Sequence, residues 1–146
     1  MRRRATEQLT IDDHRNWMWA SLLARPRTER ETREELSHRG LDGATADALI
    51  DEAVDAGLLD DAAYAELFAQ GHEGWGAARI AWELRRRGVE DEDVRAALDE
   101  IDDVPRARAI ASELRERGVE DRKIVARLQR RGFDARAIRS ASREDR

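Results

Sequence analysis

Arginine and tryptophan share one face of a predicted helix in the middle of the chain. Arg79, Trp82 and Arg86 are spaced i, i+3 and i+7, roughly opposite an apolar stripe of Ile80 and Leu84. A tryptophan flanked by arginines offers a large planar area together with positive charge. That chemistry suits an interface hot spot or a platform for stacking nucleic-acid bases. The alternative is that Trp82 packs against a neighbouring unit and the arginines are solvated.

A further tryptophan, Trp75, lies between Gly74 and Gly76. As a loop-borne anchor it would join the predicted partner-binding set of Arg79, Trp82 and Arg86. It would equally serve as a staple by packing on the first turn of the helix that follows.

Five basic residues surround the apolar stripe of a helix near the end of the chain. Side chains of this kind contact phosphates, which makes the set a candidate for binding a phosphate backbone. The alternative is an ordinary solvated face with ion pairs inside the helix. The five residues are Arg122, Lys123, Arg127, Arg130 and Arg131.

Catalytic patterns are missing from the sequence. His14, His38 and His72 are scattered without the spacing of metal ligands, and there is no cysteine to form a disulfide or a thiolate site. There is also no phosphate-binding glycine loop, no nucleophile elbow and no isolated pair of carboxylates. We therefore predict no catalytic residue, no cofactor and no metal, and a protein that works by binding.

Composition favours helices as the elements that position these residues. Charged and hydrophobic residues each make up 40% of the 146 residues, so a core requires narrow apolar stripes on otherwise solvated elements. Proline occurs only twice, and strand-forming residues are sparse. No apolar run approaches the roughly 18 residues that cross a bilayer. We expect an all-helical, cytoplasmic protein without membrane contact.

The net charge of −5 is unevenly distributed. Residues 1–40 sum to +2, residues 41–102 to −12 and residues 103–146 to +5. The acidic middle argues against DNA wrapped along the whole length. The basic ends suit an anionic partner, and the whole pattern suits a protein surface of mixed charge.

One short pattern, Leu-x-x-Arg-Gly followed by an apolar residue, recurs four times and predicts a helix ending each time. The arginine lies in the last turn, the glycine takes the left-handed position, and the apolar residue folds back on the leucine. The copies begin at Leu36, Leu84, Leu114 and Leu128.

The first, second and fourth copies begin 48 and 44 residues apart, which is the length of a helical-repeat unit. The capping box Thr28/Glu31 supports a helix start in the first unit. We predict three tandem three-helix repeats in an elongated, curved array. The repeats span residues 13–58, 59–102 and 103–142, with a disordered N-terminus at 1–12 and a tail at 143–146.

Motifs in all three units resemble the RecX family, whose members regulate the RecA recombinase. The resemblance covers roughly residues 20–140, and the motifs appear in the family order. The first repeat supplies Leu22-Leu23-Ala24 with Thr28, Glu31 and Leu36. The central repeat supplies Leu58-Leu59-Asp60-Asp61, Tyr64-Ala65, Gly74-x-Gly76, Arg79-Ile80, Glu83-Leu84 and Arg87-Gly88-Val89. The last supplies Leu128 to Phe133 with Ile138.

This resemblance implies three tandem repeats that lie along the RecA filament on single-stranded DNA, span neighbouring subunits and restrain ATP hydrolysis and strand exchange. We expect the chain itself to be a monomer. The five basic residues near the C-terminus would then contact phosphates in the filament, with a weak direct contact to DNA. Two alternatives remain open at this stage. One is a helix-turn-helix-like protein that binds DNA alone, and the other is a helical adaptor for an unrelated protein.

Overall fold

The computed structural model describes residues 9–142 and contains nine α-helices and no strand within that range. The all-α prediction is confirmed for this part of the chain. The helices form three successive groups of three, as the predicted repeats require. In chain order they are α1 (Ile11–Ala24), α2 (Glu29–His38), α3 (Gly43–Asp55), α4 (Asp61–Gly71), α5 (Ala77–Arg86), α6 (Asp91–Leu98), α7 (Asp103–Glu116), α8 (Asp121–Arg130) and α9 (Ala135–Ser142).

The chain divides into two compact units between Asp60 and Asp61. The first unit contains α1 to α3 and the second contains α4 to α9. Each group of three helices buries its own apolar cluster, so the second unit has two clusters. Fully buried members are Met18, Leu36 and Leu49 in the first group, Ile80, Leu84 and Val94 in the second, and Ala107, Ala111 and Leu128 in the third.

Threonine capping boxes begin the first two helices. In the predicted box, the N–H of Glu31 donates to Oγ1 of Thr28 at 3.2 Å, and the N–H of Thr28 donates to Oε1 of Glu31 at 3.2 Å. Thr10 and Asp13 form a second box with an aspartate in place of the usual glutamate. Because of this box, α1 begins inside the segment 1–12 that the sequence predicts to be disordered. The rest of that prediction, residues 1–8, and the tail 143–146 lie outside the described residues.

All four repeated motifs end a helix as predicted. In each, the N–H of the apolar residue after the glycine donates to the carbonyl of the leading leucine, at 3.0 to 3.2 Å. The glycines have positive φ angles between 79° and 93°, a region that other residues rarely adopt. The four bonds run from Leu41 to Leu36, Val89 to Leu84, Val119 to Leu114 and Phe133 to Leu128.

Candidate partner-binding site

Helix α5, which carries Trp82, has no side chain of its own at its N-terminal cap. The cap residue is Gly76, and the N–H of Ala77 donates instead to Oδ1 of Asp103 at 2.9 Å. Asp103 lies in the first turn of α7, so the third group of helices supplies a cap to the second. Burial raises the pKa of the Asp103 carboxyl, and the hydrogen bond from Ala77 opposes that rise.

Two glycines allow the start of α5 to touch the chain that follows α8. The N–H of Gly76 donates to the carbonyl of Arg131 at 2.7 Å. A Cβ at Gly76 would lie 2.2 Å from the carbonyl oxygen of Gly132, and a Cβ at Gly132 would lie 2.5 Å from Cβ of Arg79. Neither position has room for a side chain. The two sets of candidate residues, one on α5 and one on α8, are therefore carried by helices whose ends touch.

Trp82 projects from α5 into solvent, with 63% of its surface exposed, while Ile80 and Leu84 on the opposite side are fully buried. Arg86 lies beside it, with its guanidinium carbon 5.9 Å from the indole centroid. We call this pair, Trp82 and Arg86, the Trp82 face. Trp82 is therefore accessible, and its role in binding a partner stays a prediction.

Glu83 also belongs to this face, although it is not among the residues predicted from the sequence. It is buried on α5 and accepts two hydrogen bonds from Arg86, at 2.5 and 3.1 Å, and one from Arg87 at 3.0 Å. Arg87 also donates to the hydroxyl of Tyr64 at 2.5 Å. The bond from Arg86, followed by that from Arg87, lowers the pKa of Glu83 to about 2 against the cost of burial. The i, i+3, i+4 spacing to two arginines was the available sequence signal.

Trp75 is half-buried and contacts the end of α4, the turn that follows it and the first turn of α5. Its ring centroid lies 5.9 Å from that of Phe68 and 4.3 Å from that of His72. The guanidinium of Arg79 stacks over the indole, 4.0 Å from its centroid. Arg79 also packs its backbone against Gly132, so it lies at the junction of α5 and α8 while Trp82 projects into solvent.

The five basic residues around α8 do not form a single set. Lys123, Arg127 and Arg130 are spaced i, i+4 and i+7 and share one side of the helix, which we call the α8 basic face. Arg122 is exposed elsewhere on α8 and lies 3.9 Å from Glu120. Arg131 is half-buried at the end of α8, and its carbonyl accepts the hydrogen bond from Gly76.

The histidines serve structural contacts. His14 is buried and accepts a hydrogen bond from Arg39 at 3.2 Å, His38 bonds the carbonyl of Glu34 at 2.8 Å, and His72 stacks on Phe68. Between residues 9 and 142, no group of three histidine or acidic residues is placed to hold a metal ion. No helix in the same range is long and apolar enough to span a bilayer.

Comparisons with known proteins identify the family. A family model described as RecX, second three-helix domain, matches residues 60–98. Regulatory protein RecX of Halorhodospira halophila is 37% identical over 130 residues, which cover 83% of this chain and 81% of that protein. The chain belongs to the RecX family. Regulatory protein RecX of a Mycobacterium species (strain KMS) is 39% identical over 84 residues, or 56% of this chain and 46% of that relative.

Solved RecX structures share this fold. A crystal structure of RecX from Lactobacillus salivarius superposes with a TM-score of 0.81 and 23% identity, covering 92% of this chain and 95% of that one. A second crystal structure, of regulatory protein RecX, superposes with a TM-score of 0.75 and 20% identity, covering 91% of this chain and 75% of that one. The resemblance to RecX drawn from sequence motifs is confirmed. The Trp82 face lies within the segment that matches the second RecX domain.

Proposed function

We propose that this RecX-family chain binds the RecA filament on single-stranded DNA and inhibits its ATP hydrolysis, thereby restraining recombination, repair and the SOS response. Membership of the family supports this proposal, because the relatives carry the name regulatory protein RecX. The chain acts as a monomer by occupying a surface of the filament. It performs no catalysis of its own.

The exposed Trp82 is the observation that carries the proposal. Burying its ring against a partner removes apolar surface from water, at about 25 cal/mol per Å². Arg86 beside it is already held by Glu83, so binding costs little side-chain entropy at this position. A large aromatic next to a restrained arginine is the composition of an interface hot spot.

The α8 basic face supplies a second contact. Lys123 and Arg130 are exposed and Arg127 is half-buried, and none of the three has an ion pair with another described residue. Arginine and lysine side chains in this state suit an acidic protein surface or a phosphate backbone within the filament.

The direct test is to titrate the purified protein into RecA hydrolysing ATP on single-stranded DNA. We expect the hydrolysis rate to fall as the protein approaches saturation. A rate that stays constant up to a large excess, or a rate that rises, would reject inhibition of ATP hydrolysis.

A stand-alone DNA-binding protein is the second candidate, and the α8 basic face is the observation in its favour. Contacts to phosphates release counterions, so this function requires binding to naked DNA that weakens steeply with salt. A shallow salt dependence together with tight filament binding would exclude it. A helical adaptor for another protein would bind neither naked DNA nor the filament.

A further inference from the structure

The start of α5 and the end of α8 meet backbone to backbone. The hydrogen bond from Gly76 to Arg131 and the close approach of Gly76 and Gly132 leave no side chain between the two segments. In most contacts between helices, a side chain can change rotamer and let the helices shift. Here no such adjustment exists, and the two segments have one close-packed arrangement.

Helix α7 also holds this corner of the second unit. Arg106 donates to the carbonyls of His72 and Trp75 at 3.3 Å and to that of Ala69 at 3.4 Å. Asp103 caps α5 from the preceding turn of α7. These bonds join α7 to main-chain groups at the end of α4, in the turn and at the start of α5. The turn before Trp82 is therefore fixed by residues of the third group.

We infer that α5 and α8 form one rigid two-point surface, in which the Trp82 face and the α8 basic face contact a single rigid protein partner together. Trp82 lies about 9 Å along α5 from Gly76, and Arg127 about 6 Å along α8 from Arg131, at 1.5 Å per residue. Gly76, Gly132 and Asp103 are the positioning residues. They act through the spacing of the two faces and touch no partner.

A fixed spacing indicates the class of partner. Two linked contacts strengthen each other when both are engaged at once, and a rigid link helps only if the partner's own sites are rigidly spaced. A folded protein assembly meets that condition, whereas a free single strand adapts its path to many spacings. The fixed spacing therefore favours a folded protein over a free single strand as the partner of this surface. This inference rests on the proposed function only in taking the RecA filament as that protein.

The rigidity is testable without any partner, because the chain has no cysteine. Ala78 on α5 and Ala126 on α8 are both exposed, so the Ala78→Cys/Ala126→Cys protein can carry two spin labels. Double electron–electron resonance should give one narrow distribution of distances between the two labels. Gly132→Ala should broaden it, whereas the matched control Gly118→Ala should not. Gly118 has a similar positive φ at the end of α7, 79° against 85° for Gly132, but a Cβ there meets nothing within 4 Å.

A binding experiment measures the affinity of the same variants for the RecA filament and for a free oligo(dT) strand. Gly132→Ala should bind the filament at least about tenfold more weakly than Gly118→Ala, with unchanged binding to oligo(dT). Asp103→Ala, which removes the cap of α5 without adding a side chain at the contact, serves as the second variant if Gly132→Ala does not fold. It should broaden the distances and weaken filament binding in the same direction.

Three results would overturn the inference. A broad distribution in the parent protein would show that the spacing is not fixed. If the variant with broadened label distances binds the filament as well as Gly118→Ala does, the spacing of the two faces does not matter for binding. The proposed function would then stand. Equal losses on filament and oligo(dT) would assign the surface to nucleic acid. A different result concerns the proposed function. If the label distances are narrowly distributed but the parent protein does not bind the filament, the proposed function and the choice of RecA as partner are rejected.

Discussion

Glu83 holds Arg86 from one turn away on α5, with the two side chains joined by hydrogen bonds of 2.5 and 3.1 Å. The carboxylate is buried, while 59% of the arginine side chain is exposed next to Trp82. A buried acid thus fixes the direction of an exposed cation. The Trp82 face is set before any partner arrives, which is the condition for a hot spot that loses little entropy on binding.

Replacing Glu83 by glutamine should lower the free energy of unfolding at pH 7 by about 1 kcal/mol. The loss is modest because solvent screens the exposed Arg86. Urea unfolding measures it. The matched control is Glu113→Gln, whose carboxylate pairs with Arg117 at 2.7 Å with both side chains largely exposed, and it should change stability very little.

The same pair predicts how stability changes with acid. The pKa of Glu83 falls from an ordinary 4.5 to about 2 on folding, so its contribution is complete above 4.5 and is lost as the pH falls toward 2. The stability difference between the parent and Glu83→Gln should therefore shrink over that window. A difference that stays constant from pH 7 to pH 3 would show that the ionised carboxylate is not its source.

Removing the indole ring with Trp82→Ala should raise the concentration required to inhibit the RecA ATPase by about 30-fold, the loss at which a residue counts as a hot spot. Leu67→Ala is the matched control, because Leu67 is an apolar side chain of the same unit with 62% exposure. Neither change should affect folding, since both side chains are in solvent. Equal inhibition by the two variants would remove Trp82 from the interface.

Lys123 is the only lysine of the chain and lies exposed on the α8 basic face. Apart from the N-terminal amine, it is the one site for an amine-reactive cross-linker. We expect cross-links from Lys123 to the filament, identified by mass spectrometry. Lys123→Arg should abolish them and leave inhibition intact because the charge is kept. Lys123→Glu should weaken inhibition through charge repulsion. Cross-links confined to the N-terminus would place α8 away from the partner.

The helices were predictable from sequence because their determinants are local. The leucine, arginine and glycine of each ending, and the Thr28/Glu31 box, lie within a few residues of one another. The arrangement around Trp82 depends on residues far apart along the chain. Asp103 reaches Ala77 across 26 positions, and the need for glycine at Gly76 comes from Gly132. Such contacts leave no periodic pattern in a single sequence, which therefore does not predict the surroundings of Trp75 and Arg79.

Asp103 offers a test of what its cap contributes to α5. Because burial raises its pKa on folding, the ionised carboxylate favours the folded state less than the protonated form does. The stability that the Asp103 carboxyl contributes is complete below its ordinary pKa of 3.8. It is lost as the pH rises through the raised pKa of the folded protein. Asparagine keeps an oxygen that accepts from Ala77 but carries no charge to desolvate.

At pH 7, the free energy of unfolding of Asp103→Asn should therefore equal or slightly exceed that of the parent. As the pH falls toward 4, the parent should gain stability relative to Asp103→Asn. Asp103→Ala loses the acceptor and should cost about 1 kcal/mol, as other N-cap removals do. Chemical unfolding of all three proteins at pH 7 and pH 4 measures both effects. An asparagine variant clearly weaker than the parent at pH 7 would mean that attraction between the carboxylate and the positive end of α5 outweighs the cost of burial.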